Sequence, residues 1–118
     1  MAYVSLSVNV GSFNDPRHRQ GLAHFLEHMI FMGSEKYEEE NSYSDHISAN
    51  GGWCNAYTEF EWTNYHYEIT YTGLQVSLDM FASILAVPLL KKSAMQREIK
   101  AVESEFQMCK VNDNCRCF

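Results

Sequence analysis

The sequence contains no apolar run approaching the ~18 residues that a membrane-spanning helix needs, so a transmembrane segment is not expected. It also lacks a signal-peptide core, because Met1 to Val8 alternates polar and apolar side chains. With no other address in view, the expectation is a cytosolic protein, with a mitochondrial one left open. Basic residues are scarce: 9 Lys and Arg stand against 15 Asp and Glu, for a formal net charge of -6. A phosphate-binding surface needs a basic face, which argues against a nucleic-acid partner. No two of the four cysteines, Cys54, Cys109, Cys115 and Cys117, form a C-x-x-C pair. The Cys115-x-Cys117 spacing is poor for a structural zinc site, and reduced thiols are expected rather than a disulfide framework. Internal repeats, low-complexity tracts and linkers are also missing, so residues 1–118 are expected to form one domain.

What the chain does have is the composition of a globular protein, with 46% hydrophobic and 20% charged residues. Residues 2–10 alternate strictly, with Ala2, Val4, Leu6, Val8 and Val10 on one face, and predict a half-buried strand. A loop with the turn signal Asp15-Pro16 follows. Residues 22–32 predict a helix that is apolar nearly all round and therefore buried. Glu35, Glu38, Glu39 and Glu40 cluster around Lys36; this reads as a solvated turn, with a preference for basic substrates as the alternative. A second helix is expected over 42–49, stopped by Gly51-Gly52. Residues 53–60 and 62–71 predict strands joined near Glu61 as an antiparallel hairpin, although no Asn-Gly marks the turn. A third helix over 73–86 carries Leu74, Leu78, Phe81, Ala82 and Leu85 at helical spacing and ends before Pro88. Ser93 with Gln96 resembles a capping box opening a last helix to about Lys110. The order implies an α+β fold: an antiparallel sheet with helices packed on one face.

The chemistry centres on His24-Phe25-Leu26-Glu27-His28. Residues i and i+4 share a helix face, so both imidazoles can bind one metal ion. Glu27 sits one turn from His24 and can reach a water at that ion without being a ligand. The order H-x-x-E-H is the inverse of H-E-x-x-H and is a zinc-peptidase signature. Two His and a Glu on a helix commonly mean surface residues, but on so apolar a helix their burial without a partner would be costly. A hydrolytic zinc takes three protein ligands and keeps one open position. The last helix offers Glu98 and Glu105, nearly two turns apart and so on one face, with Ala101 and Val102 between them. Spacing alone does not choose between them as the third ligand, and both can instead belong to a solvated face.

Taken together, the residues resemble the insulinase (pitrilysin-type) family of zinc metallopeptidases, in its insulysin/nardilysin-like branch. The resemblance runs through Gly11-Ser12, Asp15-Pro16, the stretch Gly21 to Met29, Phe31-Met32-Gly33, Lys36-Tyr37 and Glu40-Asn41. It continues through Gly51-Gly52, Asn55-Ala56, Thr63-Asn64-Tyr65, Arg97-Glu98, Ala101-Val102 and Ser104-Glu105. It implies a partial insulinase-type α/β domain, one Zn2+ held by His24, His28 and Glu105, Glu27 as general base, and Glu98 as a supporting carboxylate. It further implies that peptide substrates lie extended along Asn55, Ala56 and Tyr57, by strand addition. A plain sheet strand is the alternative for Trp53 to Thr58. Phe31 and Phe118 match positions lining the pocket before the scissile bond, with core packing as the alternative.

The resemblance also implies what is missing. Relatives close a chamber from two halves, and the half without zinc supplies an Arg and a Tyr that hold the substrate. The chain is expected to be a truncated N-terminal catalytic domain, with Cys115 where the branch usually has Trp and with sheet edges open to association. The expected function is a zinc metalloendopeptidase acting through zinc-activated water, with little activity alone, served by peptide substrates and a second half or subunit. The alternatives are a non-catalytic peptide-binding or assembly subunit of the same superfamily, and a structural or transport metal site.

Overall fold

A computed structural model describes residues 1–111. Its elements are β1 (Ala2–Val8), α1 (Leu22–Ile30), α2 (Ser42–Ala49), β2 (Trp53–Thr58), β3 (Thr63–Ile69), α3 (Leu74–Ala86) and α4 (Lys92–Lys110). Short 3-10 turns occupy Ser12–Asn14 and Tyr71–Gly73. The three strands form one antiparallel sheet in the order β1-β3-β2. The α+β class expected from the sequence is what the structure has. The predicted strands run one or two residues past their observed ends.

Register decides which residues meet the helices. Val4, Tyr67 and Cys54 lie in one cross-strand row, and Leu6, Tyr65 and Ala56 in the next. Neighbours in such rows share a sheet face. On this face Tyr65, Tyr67 and Ile69 are buried with Ile30 of α1, Tyr43 and Ile47 of α2, and Met80, Phe81 and Ile84 of α3. Aromatic rings fill the centre: Tyr67 meets Phe81 edge-on at 5.2 Å and Tyr43 at 5.9 Å. The opposite face is polar. There the Asn64 amide donates to the hydroxyls of Ser5 and Ser7, each at 2.9 Å, and its carbonyl oxygen lies 2.8 Å from His66 Nδ1. Central-strand residues Asn64 and His66 are thus buried, with the Asn64 amide and His66 Nδ1 partnered.

The stop signal after α2 works as a Schellman motif. Gly51 takes φ 71°, and its N–H donates to Ser48 O while that of Gly52 donates to Ile47 O at 2.9 Å. Gly52 then passes so close to β3 that a Cβ there would lie 1.9 Å from Glu68 O. The hairpin closes through Glu59 N donating to Trp62 O at 2.8 Å. The segment after β1 clamps that turn: Ser12 N and Phe13 N donate to Glu59 O and Phe60 O, each at 2.9 Å. Phe13 stacks on Phe60 at 4.9 Å.

Four readings of the sequence are corrected. α1 is not buried all round, since Leu22 and Leu26 are 47% and 44% exposed; its covered sides are those toward the sheet and toward the last helix. Leu6, Val8 and Val10 on the apolar face of β1 are exposed as well, because the helices cover the sheet from β3 toward β2 more fully than its β1 end. On α3 the inward stripe is Ser77, Met80, Phe81 and Ile84, while Leu78 and Ala82 face outward. Ser93 caps nothing: it lies inside α4, whose N-cap is Lys91 with no side-chain cap.

α1 carries a cap supplied from a distance. Its N-cap, Gly21, has no side chain and sits at φ 88°. Asp15, in the preceding loop, accepts hydrogen bonds from Gly21 N at 2.8 Å and Ala23 N at 2.9 Å. One carboxylate thus satisfies two otherwise unpaired amides and places negative charge at the positive end of the helix. Replacing Asp15 by Ala is expected to lower unfolding stability by about 1–2 kcal/mol. The midpoint of urea denaturation should fall without a change in slope, and an unchanged midpoint would remove this role.

Candidate metal centre

α1 lies between the sheet and α4, and α4 packs on it through its Glu98, Ala101, Val102 and Glu105 side. This arrangement brings His24, His28 and Glu105 together, as the sequence reading expected. His24 Nε2 and His28 Nε2 are 3.3 Å apart. Glu105 Oε2 lies 3.0 Å from His24 Nε2, and its Oε1 lies 3.4 Å from His28 Nε2. Donors bound at roughly 2.0–2.1 Å around a tetrahedral zinc stand roughly 3.3–3.4 Å from one another. The side chains therefore already have the spacing such an ion requires, and their two imidazoles and one carboxylate suit its chemistry.

Glu98 stands behind this group. Its Oε2 lies 2.9 Å from His28 Nδ1, and both side chains are largely buried. With Nδ1–H donating to Glu98, the lone pair of His28 Nε2 faces His24 and Glu105. Spacing alone could not separate Glu98 from Glu105; here Glu105 faces both imidazoles on the side where their Nε2 atoms meet, and Glu98 faces the back of one. The α4 segment is also tied at its start, where Arg97 pairs with Glu40 just before α2. That hydrogen bond holds the Glu40 carboxyl below its usual range. Lys36, in the same acidic stretch, pairs with Asp79 of α3 at 2.6 Å. The run read as a solvated turn thus holds two cross-links to helices.

Glu27 is only 8% exposed, in contrast to Glu105 at 51% for its side chain. It accepts a hydrogen bond from the Thr58 hydroxyl at the end of β2. The Tyr65 phenol next to it is pushed up to about 12 by burial, with the Glu27 charge adding. A cavity of about 550 Å3 opens above these groups, lined by His24, Glu27, His28, Phe31, Thr58 and Glu105 among others. Asn55, Ala56 and Tyr57 line it too. Strand alternation divides these three: Ala56 shares the Tyr65 row facing the helices, whereas Asn55 and Tyr57 pair with His66 and Asn64 on the far face. Phe31 borders the cavity and also packs on the core, 5.8 Å from Tyr43. Phe118 lies outside the described residues, as do Cys115 and Cys117; Cys54 is a half-buried thiol.

Thr58 was absent from the residues singled out by sequence. The same alternation that puts Cys54 and Ala56 on the inner face puts Thr58 there, level with Thr63. That period-two pattern was the signal available for it.

Comparison with known proteins gives a consistent result. A model of the family "Insulinase (Peptidase family M16)" matches residues 1–116. A nardilysin-like protein of Arabidopsis thaliana is 50% identical over 115 residues, covering 98% of this chain and 11% of the relative. Insulin-degrading enzyme-like 2 of the same plant is 52% identical over 112 residues, covering 95% and 12%. The crystal structure of pitrilysin superposes with a TM-score of 0.89 at 39% identity, over 95% of this chain and 12% of that one. The chain thus spans about a tenth of the length of these relatives. No helix among the described residues is long and apolar enough to cross a membrane.

The Glu98–His28 contact has a measurable consequence. Glu98→Ala is expected to weaken zinc binding about 10–100-fold, as loss of a carboxylate behind a histidine ligand does. Glu98→Gln, which keeps an acceptor at Nδ1, should lose less. Competition with a chromophoric chelator reads both, and equal affinity in all three proteins would show that Glu98 does not orient the ring.

Proposed function

The chain belongs to the insulinase family of peptidases, and from that premise we propose that it carries the metal-binding and proton-transferring part of a zinc endopeptidase site. The supporting observation is the convergence of His24, His28 and Glu105 at 3.0–3.4 Å, with Glu27 beside them in the same cavity. His24 Nε2, His28 Nε2 and a Glu105 carboxylate oxygen would hold one zinc ion, and Glu98 would fix the His28 ring. Zinc, when bound, supplies a Lewis acid for the scissile carbonyl and lowers the pKa of water toward neutrality.

The protein's own groups do the rest. Glu27 takes the proton of the attacking water and later gives it to the leaving amine. Its burial beneath the cavity limits competing solvent, and its turn toward the Thr58 hydroxyl keeps it out of the ligand set. The peptide lies along the outer edge of β2 at Asn55, Ala56 and Tyr57, where the backbone groups of alternate residues point away from β3. Phe31 provides an apolar wall for the side chain before the scissile bond.

Two features support a partner. The cavity lining includes no arginine among the described residues, so a donor of that kind to the developing oxyanion comes from a second half or subunit. Exposed Leu6, Val8 and Leu26 border an apolar hollow of about 370 Å3 beside α1, a surface suited to being covered. The cytosolic compartment remains part of the proposal, supported by the Cys54 thiol. A non-catalytic subunit of the same superfamily is the competing reading; the presence of Glu27, buried and aimed beside the ligand set, favours catalysis, since neither peptide binding nor assembly needs a base there.

Glu27→Gln separates the two. It is expected to lower the hydrolysis of a fluorogenic peptide by at least about 100-fold, the lower end of general-base contributions, with zinc content unchanged. A rate equal to that of the parent chain would remove Glu27 from the mechanism.

A further inference from the structure

Resting on that reading, we propose that Thr58 is a positioning residue for the general base. Its hydroxyl fixes the Glu27 carboxylate so that one oxygen is engaged and the other is presented to the cavity.

A carboxyl group that is 8% exposed needs hydrogen-bond partners where it is buried. Among the described residues the donor to Glu27 is the Thr58 hydroxyl, which reaches Oε2. Among the described residues none donates to Oε1, and Glu27 lines the cavity that also holds His24, His28 and Glu105. With Oε2 engaged, rotation of the carboxylate about its terminal torsion, which is otherwise broad, is restricted. The oxygen facing the water is then always the same one.

Thr58 is itself held firmly. It ends β2 opposite Thr63, whose hydroxyl donates to Val10 O at 2.8 Å. The turn that follows is closed by Glu59 and Trp62 and clamped by Ser12 and Phe13. The strand proposed to seat the peptide, through Asn55 to Tyr57, therefore also carries the residue that aims the base. A shift of β2 on peptide binding would move the hydroxyl relative to α1, which carries Glu27. This ties substrate seating to the direction of the proton acceptor through one side chain.

The test uses the full 118-residue chain with Thr58→Val, Thr58→Ala and Thr58→Ser. The first readout needs no turnover: the 13C resonance of the Glu27 side-chain carboxyl, assigned by its disappearance in Glu27→Gln, at one fixed pH with zinc bound. It is expected to move in Val and Ala and to return to the parent position in Ser. Peptide hydrolysis is the second readout. There kcat should fall at least about 10-fold in Val and Ala, a part of what a general base contributes, with KM and zinc affinity unchanged, and Ser should recover to within about threefold. A resonance that stays put in all three variants would overturn the contact. A resonance that moves with kcat unchanged would overturn the positioning role. Should Val not fold, Ala carries the same expectation. Failure of the parent chain to retain zinc would count against the peptidase reading, while a Glu27 resonance that still moves in Val and Ala in the zinc-free protein would leave the Thr58 contact in place.

Discussion

Two imidazole nitrogens 3.3 Å apart, with a carboxylate 3.0–3.4 Å from both, form a set of electron-pair donors that need a cation or protons between them. Everything else in the structure can be read as the means of holding that set. The two histidines are fixed relative to each other by one helical turn. The carboxylate, Glu105, lies more than seventy residues later on another helix, so its approach depends on how α4 sits on α1. α4 has a single fully buried residue, Ala94, and its approach rests on Ala101, Val102, the Glu98–His28 bond and the Arg97–Glu40 pair. An ion shared by α1 and α4 would add the strongest link between them.

The other face of α1 solves a different problem. Glu27 lies beside the three donors without joining them, and it is buried. The i, i+3 and i+4 positions of one helix separate the roles: His24 and His28 point toward α4, while Glu27, one residue earlier than His28, turns toward the end of β2. Asp15 fixes where the helix begins, and the clamp of Ser12 and Phe13 on the hairpin turn fixes where β2 ends. Both devices come from the single loop that joins β1 to α1, so the entry to the motif helix sets two sides of the site at once.

Much of this was legible in the sequence, for reasons that differ by element. α2 was bounded correctly because Gly51 and Gly52 are a stop signal that acts locally. The common grouping of His24, Glu27 and His28 was legible because their spacing is a property of the helix itself. The preference for Glu105 over Glu98 was not legible from spacing, since both share a face; it came from family resemblance, and in the structure Glu105 is the one that lies beside both Nε2 atoms. Faces were misjudged where hydrophobicity outruns burial. Leu22 and Leu26 on α1, Leu6 and Val8 on β1 and Leu78 on α3 are apolar yet exposed, and a sequence pattern reports apolarity rather than what covers it. Ser93 was misread because the capping pattern was matched without the backbone, which enters the helix at Lys91. Thr58, and the capping role of Asp15 beyond its turn signal, were missed because their partners lie across a turn or a strand, where only the folded structure brings them together.

The central claim is that the three donors form a zinc site within this chain. It is tested most directly by the zinc content of the purified 118-residue protein after dialysis against metal-free buffer, beside that of Glu105→Ala. About one zinc per chain is predicted, as one closed ligand set requires, with the metal lost from the variant. A folded parent chain that retains no zinc, or a variant that retains as much as the parent, would contradict the account.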